Sequence, residues 1–132
     1  MKKGVNVIIT DDKSRVLVLK RGPDANSSPN LWNFPGGNVE NNETLQEAVK
    51  RETKEEINLE IEPENNYFSI YYYPDGKREN AKTAVYAFKV KLVKGEIILD
   101  KTHREFKWVS KIDWEELNYT HSAKATLKEL FK

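Results

Sequence analysis

The stretch from Thr44 to Ile57 constrains this chain most, because it reads as a helix whose inward stripe carries carboxylates. Thr44-Leu45-Gln46-Glu47 has the Thr-x-x-Glu form of a capping box, which makes Thr44 the N-cap. With successive residues about 100° apart, Leu45, Ala48, Val49 and Thr53 share one stripe. Gln46, Glu47, Lys50 and Lys54 fall broadly on the other side, as a solvated face should. Glu52 and Glu56 project into the apolar stripe, and Glu55 lies at its edge. A helix of purely structural purpose would carry Leu or Ile at 52 and 56. Glu52 also neighbours Glu55 at i,i+3 and Glu56 at i,i+4, so like charges repel. Burying an unpaired carboxylate costs on the order of several kcal/mol or forces it to take up a proton. A hard divalent cation such as Mg²⁺ or Mn²⁺ removes both penalties. A surface helix laced by Arg51-Glu52 and Lys54-Glu55-Glu56 ion pairs has the same charge content, so the helix alone leaves both readings open.

Either reading needs a sheet for the stripe to cover, and the flanking segments supply one. Val5 to Ile9 and Arg15 to Leu19 read as strands joined by a hairpin turn at Asp11-Asp12-Lys13-Ser14. Pro23 to Asn30 is a loop by composition, and Leu31 to Phe34 is a short strand. Tyr67 to Tyr73 and Thr83 to Val93 are β-rich and flank a turn at Pro74-Asp75-Gly76-Lys77. Phe106 to Val109 is a further strand, and Ser122 to Phe131 a second helix. Strands alternating with two helices imply an α/β or α+β fold. With 132 residues and no linker or repeat, residues 1–132 are expected to form a single domain.

Composition narrows the chemistry. The absence of cysteine excludes disulfides, thiolate catalysis and Cys-ligated metals. Lys plus Arg is 22 against 21 for Asp plus Glu, a net charge of +1. That balance speaks against a stable nucleic-acid partner. No segment approaches the roughly 20 apolar residues that span a bilayer. The expected location is cytoplasmic, with no membrane partner.

Pro35-Gly36-Gly37 precedes the helix and lets the backbone approach a ligand closely. From Gly37 the chain runs through five residues to Glu43, then seven more to Arg51-Glu52-Thr53-Lys54-Glu55-Glu56-Ile57-Asn58-Leu59. This resembles the Nudix box: Gly, five residues, Glu, seven residues, Arg-Glu, an aliphatic, any residue, Glu-Glu, any residue, Gly, an aliphatic. Gly37, Glu43, Arg51, Glu52, Glu55 and Glu56 all match in spacing. Trp32-Asn33-Phe34-Pro35 resembles the family's strand entering the box, and His103-Arg104-Glu105-Phe106-Lys107-Trp108-Val109 its later strand. Thr53 stands where the family has an aliphatic. Asn58 replaces the closing Gly, and Asn tolerates the left-handed helix cap.

The resemblance implies an α/β/α sandwich around a mixed β-sheet, and cleavage of a pyrophosphate in nucleoside diphosphate-X substrates. It implies metal ligation of Mg²⁺ or Mn²⁺ by Glu52, Glu55 and Glu56, with the Gly36 carbonyl added. Arg51 and Glu43 would orient those carboxylates. Glu105 is a candidate fourth carboxylate, and the general base is expected to be Glu52 or Glu105, with Glu52 favoured for its rigid helix. Arg21 is a candidate phosphate contact, and Asn33 and Phe34 candidate base contacts; Asn118 and Tyr119 are weaker ones. His103 and His121, the two histidines, are expected to be structural or solvated. Trp32 and Tyr71 to Tyr73 are expected to be core or cross-strand packing rather than base platforms.

The short chain and complete box favour a (deoxy)nucleoside triphosphate substrate, cut to monophosphate and pyrophosphate, in a monomer or homodimer. An ADP-ribose or nucleotide-sugar pyrophosphatase is the alternative, since Pro74 has a spacing resembling the ADP-ribose subgroup. A non-catalytic nucleotide sensor is a third reading, against which stands a box with no carboxylate lost.

Overall fold

The computed structural model describes residues 1–132, apart from the side chain of Leu92. Strand β1 (Lys2–Ile8) is followed by β2 (Val16–Arg21), β3 (Trp32–Asn33) and β4 (Gly36–Asn38). Helix α1 (Leu45–Ile57) leads to β5 (Glu60–Pro63), β6 (Ser69–Tyr73), β7 (Thr83–Lys94) and β8 (His103–Val109), and α2 (His121–Leu130) follows.

The strands divide into two sheets where one was expected. The first is five-stranded and mixed, in the order β4-β1-β7-β5, with β6 also on β7. Within it β1 runs parallel to β7, and the other pairs are antiparallel. The second is the antiparallel trio β3-β2-β8. The expected hairpin at Asp11–Ser14 does form. Asp11 Oδ1 accepts the N–H groups of Lys13 (3.0 Å) and Arg15 (2.8 Å), and Leu17 N–H donates to Ile9 O at 3.0 Å. The pairing then stops at a Thr10–Val16 bridge. Beyond it β1 bonds to β4 and β7 while β2 bonds to β3 and β8, so the two arms part into different sheets.

Both arms bury both faces, as their near-continuous apolar runs require. Val5, Val7, Ile9, Leu17 and Leu19 meet Ala48, Val49 and Ile57 of α1 in one core. Ile8, Val16 and Val18 meet Ala123 and Leu127 of α2, with Trp32 and Phe34, in a second. The period-two alternation of a strand thus assigns each helix to its own side, which is the expected helix–sheet–helix layering. Strands β4 and β5 were not expected. The first is Gly36-Gly37-Asn38 and the second has Ile61 as its one aliphatic residue, so neither carries a strand pattern.

Helix α1 begins as the capping box requires. Thr44 Oγ1 accepts Glu47 N–H at 3.0 Å, and Glu47 Oε1 accepts Thr44 N–H at 2.8 Å. Thr53 is fully buried, and its hydroxyl donates to Val49 O at 2.7 Å, which removes the cost of a polar atom in an aliphatic position. Asn58 ends the helix at φ 63°, and its Nδ2 donates to Glu96 O at 3.3 Å, a bond that glycine could not supply. The last carbonyls of a helix lack intrahelical partners. Here Ile57 O accepts Ile98 N–H at 3.1 Å and Glu56 O accepts Asp100 N–H at 2.9 Å, so the segment after β7 is fastened along the helix end. Gly95 makes this approach feasible, because it adopts φ +108° and a Cβ there would sit 3.1 Å from Asn58 O.

Replacing Thr44 by Ala is expected to lower unfolding free energy by about 1 kcal/mol. Asn58→Ala is expected to cost about 1–2 kcal/mol, because alanine resists the left-handed region, and Asn58→Gly less. Urea midpoints at unchanged m-value test this; an Asn58→Ala variant as stable as Asn58→Gly would overturn the assigned cap.

Candidate metal and nucleotide site

Helix α1 turns two of its carboxylates against β4. Glu56 Oε1 accepts Gly36 N–H at 2.7 Å, and a Cβ on Gly37 would lie 2.6 Å from three carboxyl atoms of Glu52. Glycine at 37 leaves room for that carboxylate in its present position, and a side chain there would make it shift. The Glu52 and Glu56 side chains are 14% and 13% exposed, whereas Glu55 is 60% exposed at the rim. The helical projection therefore placed all three correctly.

Arg51 joins this row to the loop before it. Its Nε and Nη2 grip Glu43 at 2.7 and 3.0 Å, a bidentate fork. Its Nη1 donates to Glu52 Oε1 at 2.8 Å and Glu55 Oε2 at 3.3 Å, and Nη2 also donates to Asn38 O at 2.9 Å. The Arg51 hydrogen bonds hold the Glu43 carboxyl down to about 2, with help from the Glu40 N–H. Burial raises Glu52 above the usual carboxylate range, opposed by Arg51. Burial pushes Glu56 up to about 8 against the pull of the Gly36 N–H, and the Glu52 and Asp100 charges add to the rise. On the far side of Glu56, His103 Nε2 stands 4.0 Å from its Oε2, and His103 Nδ1 is 2.7 Å from Asp100 Oδ1.

A cleft of about 330 Å³ opens beside this row and shares Gly37 with it. Arg21, Asn33, Tyr73 and Ser122 also line it. Arg21 Nε is tied to Ser27 O at 2.8 Å, and the Arg21 charge lowers the Glu56 pKa, so the guanidinium bridges the cleft and the carboxylates electrostatically. Asn33 Oδ1 accepts Phe34 N–H at 2.8 Å, which leaves its NH₂ as the free end. Asn6, 4% exposed, donates to Ser122 Oγ at 3.3 Å and forms part of the same wall.

Several expected residues lie elsewhere. Phe34, expected at the base, is 2% exposed in the α2-side core and does not line the cleft. Its neighbour Trp32 is in the same core, as expected. Tyr119 is buried with its hydroxyl donating to Trp114 O at 2.6 Å, and Asn118 O accepts Trp32 N–H at 2.9 Å. Both fasten the segment before α2 rather than line the cleft. Tyr71 and Tyr73 pack edge to face with centroids 5.0 Å apart, and Tyr73 reaches the cleft. Glu105 is exposed on β8 opposite Lys20 and makes no ion pair among the described residues. Pro74 sits in a turn closed by Gly76 N–H to Tyr72 O at 2.7 Å. Asn6, Ser122 and Asp100 were missed, because each owes its place to long-range packing and none belongs to a local motif.

The donor set suits a hard divalent cation. Glu52 and Glu56 are largely withdrawn from water, Arg51 is shared among Glu43, Glu52 and Glu55, and oxygen is the ligand such ions take. No helix among the described residues is long and apolar enough to cross a membrane.

Comparison with known proteins agrees with the box. The NUDIX domain family model matches residues 1–130. An m7GpppN-mRNA hydrolase NUDT17 of Xenopus laevis is 41% identical over 59 residues, 45% of this chain and 20% of that protein. The chain thus spans about a fifth of that relative's length. An 8-oxo-dGTP diphosphatase of Buchnera aphidicola is 34% identical over 67% of this chain and 63% of that protein. A nucleoside triphosphatase NudI of Klebsiella pneumoniae is 23% identical over 92% and 91%. The crystal structure of a MutT NUDIX hydrolase from Burkholderia pseudomallei superposes with a TM-score of 0.82 at 22% identity, over 96% and 95% of the two chains. The chain belongs to the NUDIX domain family and has its MutT-type fold.

Glu56 gives a pH prediction for the metal-free protein. Its carboxyl moves from an ordinary value of 4.5 to about 8 on folding, so the folded state holds the proton more tightly. The stability this group contributes is therefore full below about 4.5 and is lost as pH rises through about 8. Glu56→Gln is expected to flatten that loss and to raise the metal-free Tm at pH 8 by on the order of a few degrees. Calorimetry in chelator from pH 5 to 8.5 tests it, and equal slopes for the two proteins would refute it.

Proposed function

We propose that this protein is a Mg²⁺- or Mn²⁺-dependent pyrophosphohydrolase of nucleoside diphosphate-X substrates, acting on a (deoxy)nucleoside triphosphate to release the monophosphate and pyrophosphate. The observation that carries the reading is the junction at Gly37, where the Arg51-organised carboxylates meet a cleft that also holds Arg21 and Asn33. Phosphates belong at the Arg21 and glutamate end, and the base at the Asn33 and Tyr73 end. The cleft volume of about 330 Å³ is at the low end for ligand sites and favours one nucleoside over two. Similarity over 92% of this chain to a protein named as a nucleoside triphosphatase points the same way.

The ion would be held by Glu52, Glu55 and Glu56 with the Gly36 carbonyl. When bound, it neutralises phosphate charge and lowers the pKa of the attacking water. The chain's own residues do the rest. Arg51 fixes Glu52 from one side while Gly37 leaves its carboxylate room on the other. Glu52, raised by burial, accepts the proton of the water whose oxygen attacks phosphorus. The phosphoanhydride P–O bond breaks, and its electron pair leaves with pyrophosphate. Arg21 holds the phosphate chain by charge-assisted hydrogen bonds.

Turnover is expected to vanish with a chelator and return with Mg²⁺ or Mn²⁺. Glu52→Gln is expected to lower kcat by about 10²–10⁴-fold at saturating metal, and Glu105→Gln by much less. If Glu105→Gln alone collapses kcat, the base has been misassigned. Substrate choice is tested by kcat/KM across the common nucleoside triphosphates, an oxidised guanine triphosphate, ADP-ribose and a nucleotide sugar. A preference for ADP-ribose above about tenfold, or roughly 1.4 kcal/mol, would overturn the substrate while leaving the reaction type.

A further inference from the structure

We propose that β8 is a self-complementary edge through which two copies of this chain join, pairing antiparallel about a two-fold axis at Phe106. Within its sheet β8 is bonded on one side only, to β2. It has seven residues and neither proline nor glycine, whereas the other strands at sheet edges, β3, β4, β5 and β6, have two, three, four and five residues. An open edge of that length offers a row of backbone N–H and C=O groups to another strand. The bonds of β2 show which groups those are. Leu17 N–H donates to Ile9 O and Arg21 N–H to Leu31 O, so the odd-numbered residues of β2 turn their backbone groups away from β8. Val16, Val18 and Lys20 therefore bond to β8, opposite Val109, Lys107 and Glu105. Arg104, Phe106 and Trp108 then direct their backbone groups outward, and their N–H groups meet no acceptor among the described residues. Residues 104–107 are exposed, Phe106 by 40%.

The side chains select one register. Opposed residues of an antiparallel pair share their backbone direction, so a symmetric pair has its axis on a residue. An axis at Glu105 or at Lys107 sets that charge against its own copy, which is destabilising. An axis at Arg104 or at Trp108 overlaps only the strand ends. The axis at Phe106 overlaps the whole strand and sets Glu105 against Lys107 of the second copy, twice by symmetry. It also sets Arg104 against Trp108, a cation beside an aromatic ring, and Phe106 against itself. Glu105 and Lys107 share a face of the strand and make no ion pair within the chain among the described residues, although Lys107 Nζ stands over the Trp32 ring at 5.6 Å. Charges on an edge strand ordinarily repel another strand. Here they alternate in sign so that one pairing turns them into contacts. That pairing joins the two β3-β2-β8 sheets into one continuous antiparallel sheet. It does not depend on the reaction proposed above.

Sedimentation velocity on the full chain, in a concentration series reaching on the order of 1 mM, measures the association, and amide hydrogen exchange locates it. Wild type is expected to dimerise and to protect the Arg104, Phe106 and Trp108 N–H groups as concentration rises. Glu105→Lys and Lys107→Glu each set like charges face to face and are expected to weaken the dimer at least about tenfold. An equimolar mixture of the two variants re-creates both ion pairs in a heterodimer, and the double variant re-creates them in a homodimer, so both are expected to regain association. Should a single variant fail to fold, concentration-dependent protection of those N–H groups in wild type decides alone. A wild type that stays monomeric across the series, a dimer that leaves those N–H groups unprotected, folded single variants that associate as wild type does, or a mixture that stays monomeric would each overturn the interface.

Discussion

Withdrawing Glu52 and Glu56 from water on the sheet side of α1 is the constraint that organises the rest of the molecule. A helix that buries carboxylates gains nothing from them in packing and needs compensation from outside itself. Compensation arrives in two different forms. Arg51 reaches Glu52 by hydrogen bond, and is itself anchored by Glu43 and Asn38 O, so its position does not depend on α1 alone. Glu56 receives a backbone N–H from Gly36 and the more distant charge of Arg21, and stays high in pKa. The two glutamates are thus unequal: one is held ready by a fixed positive charge, and the other waits on a cation or a proton.

The glycines of β4 follow from this arrangement. A carboxylate can lie against a strand only where the strand has no side chain on that face, and Gly37 provides such a place for Glu52, while Gly36 offers its N–H to Glu56 and leaves room for the β1 backbone at Val5. Because β4 is also an edge of the mixed sheet through β1, the carboxylate row and the cleft become neighbours without a dedicated linker. The open carbonyls at the end of α1 do the corresponding work on the opposite side. They capture Ile98 and Asp100, and so bring the entrance of β8, with His103, against Glu56.

Helix periodicity and the Gly-to-Glu spacing made much of this legible beforehand. The cap at Thr44, the inward aim of Glu52 and Glu56 and the rim position of Glu55 follow from local pattern, while the left-handed Asn58 and the helices on both sides of the sheet followed from the family resemblance. Phe34 shows the limit of such reading. Strand alternation says that a residue has two faces to choose from, but not which face meets a cavity and which meets a second helix. Its side chain went to the α2 core, while Asn33 beside it kept the cleft.

What the sequence determined by itself was the chemistry that α1 must carry, since a repeat of about 3.6 residues fixes which side chains share a face whatever lies opposite. Tertiary structure alone decided the partners of that face. The split of β1 and β2 into separate sheets, the unexpected strands β4 and β5, and the meeting of Asn6 with Ser122 or Asp100 with Glu56 join residues far apart in the chain. Such contacts are set by which backbone groups remain unpaired once the cores have closed, and no local window of residues contains that information.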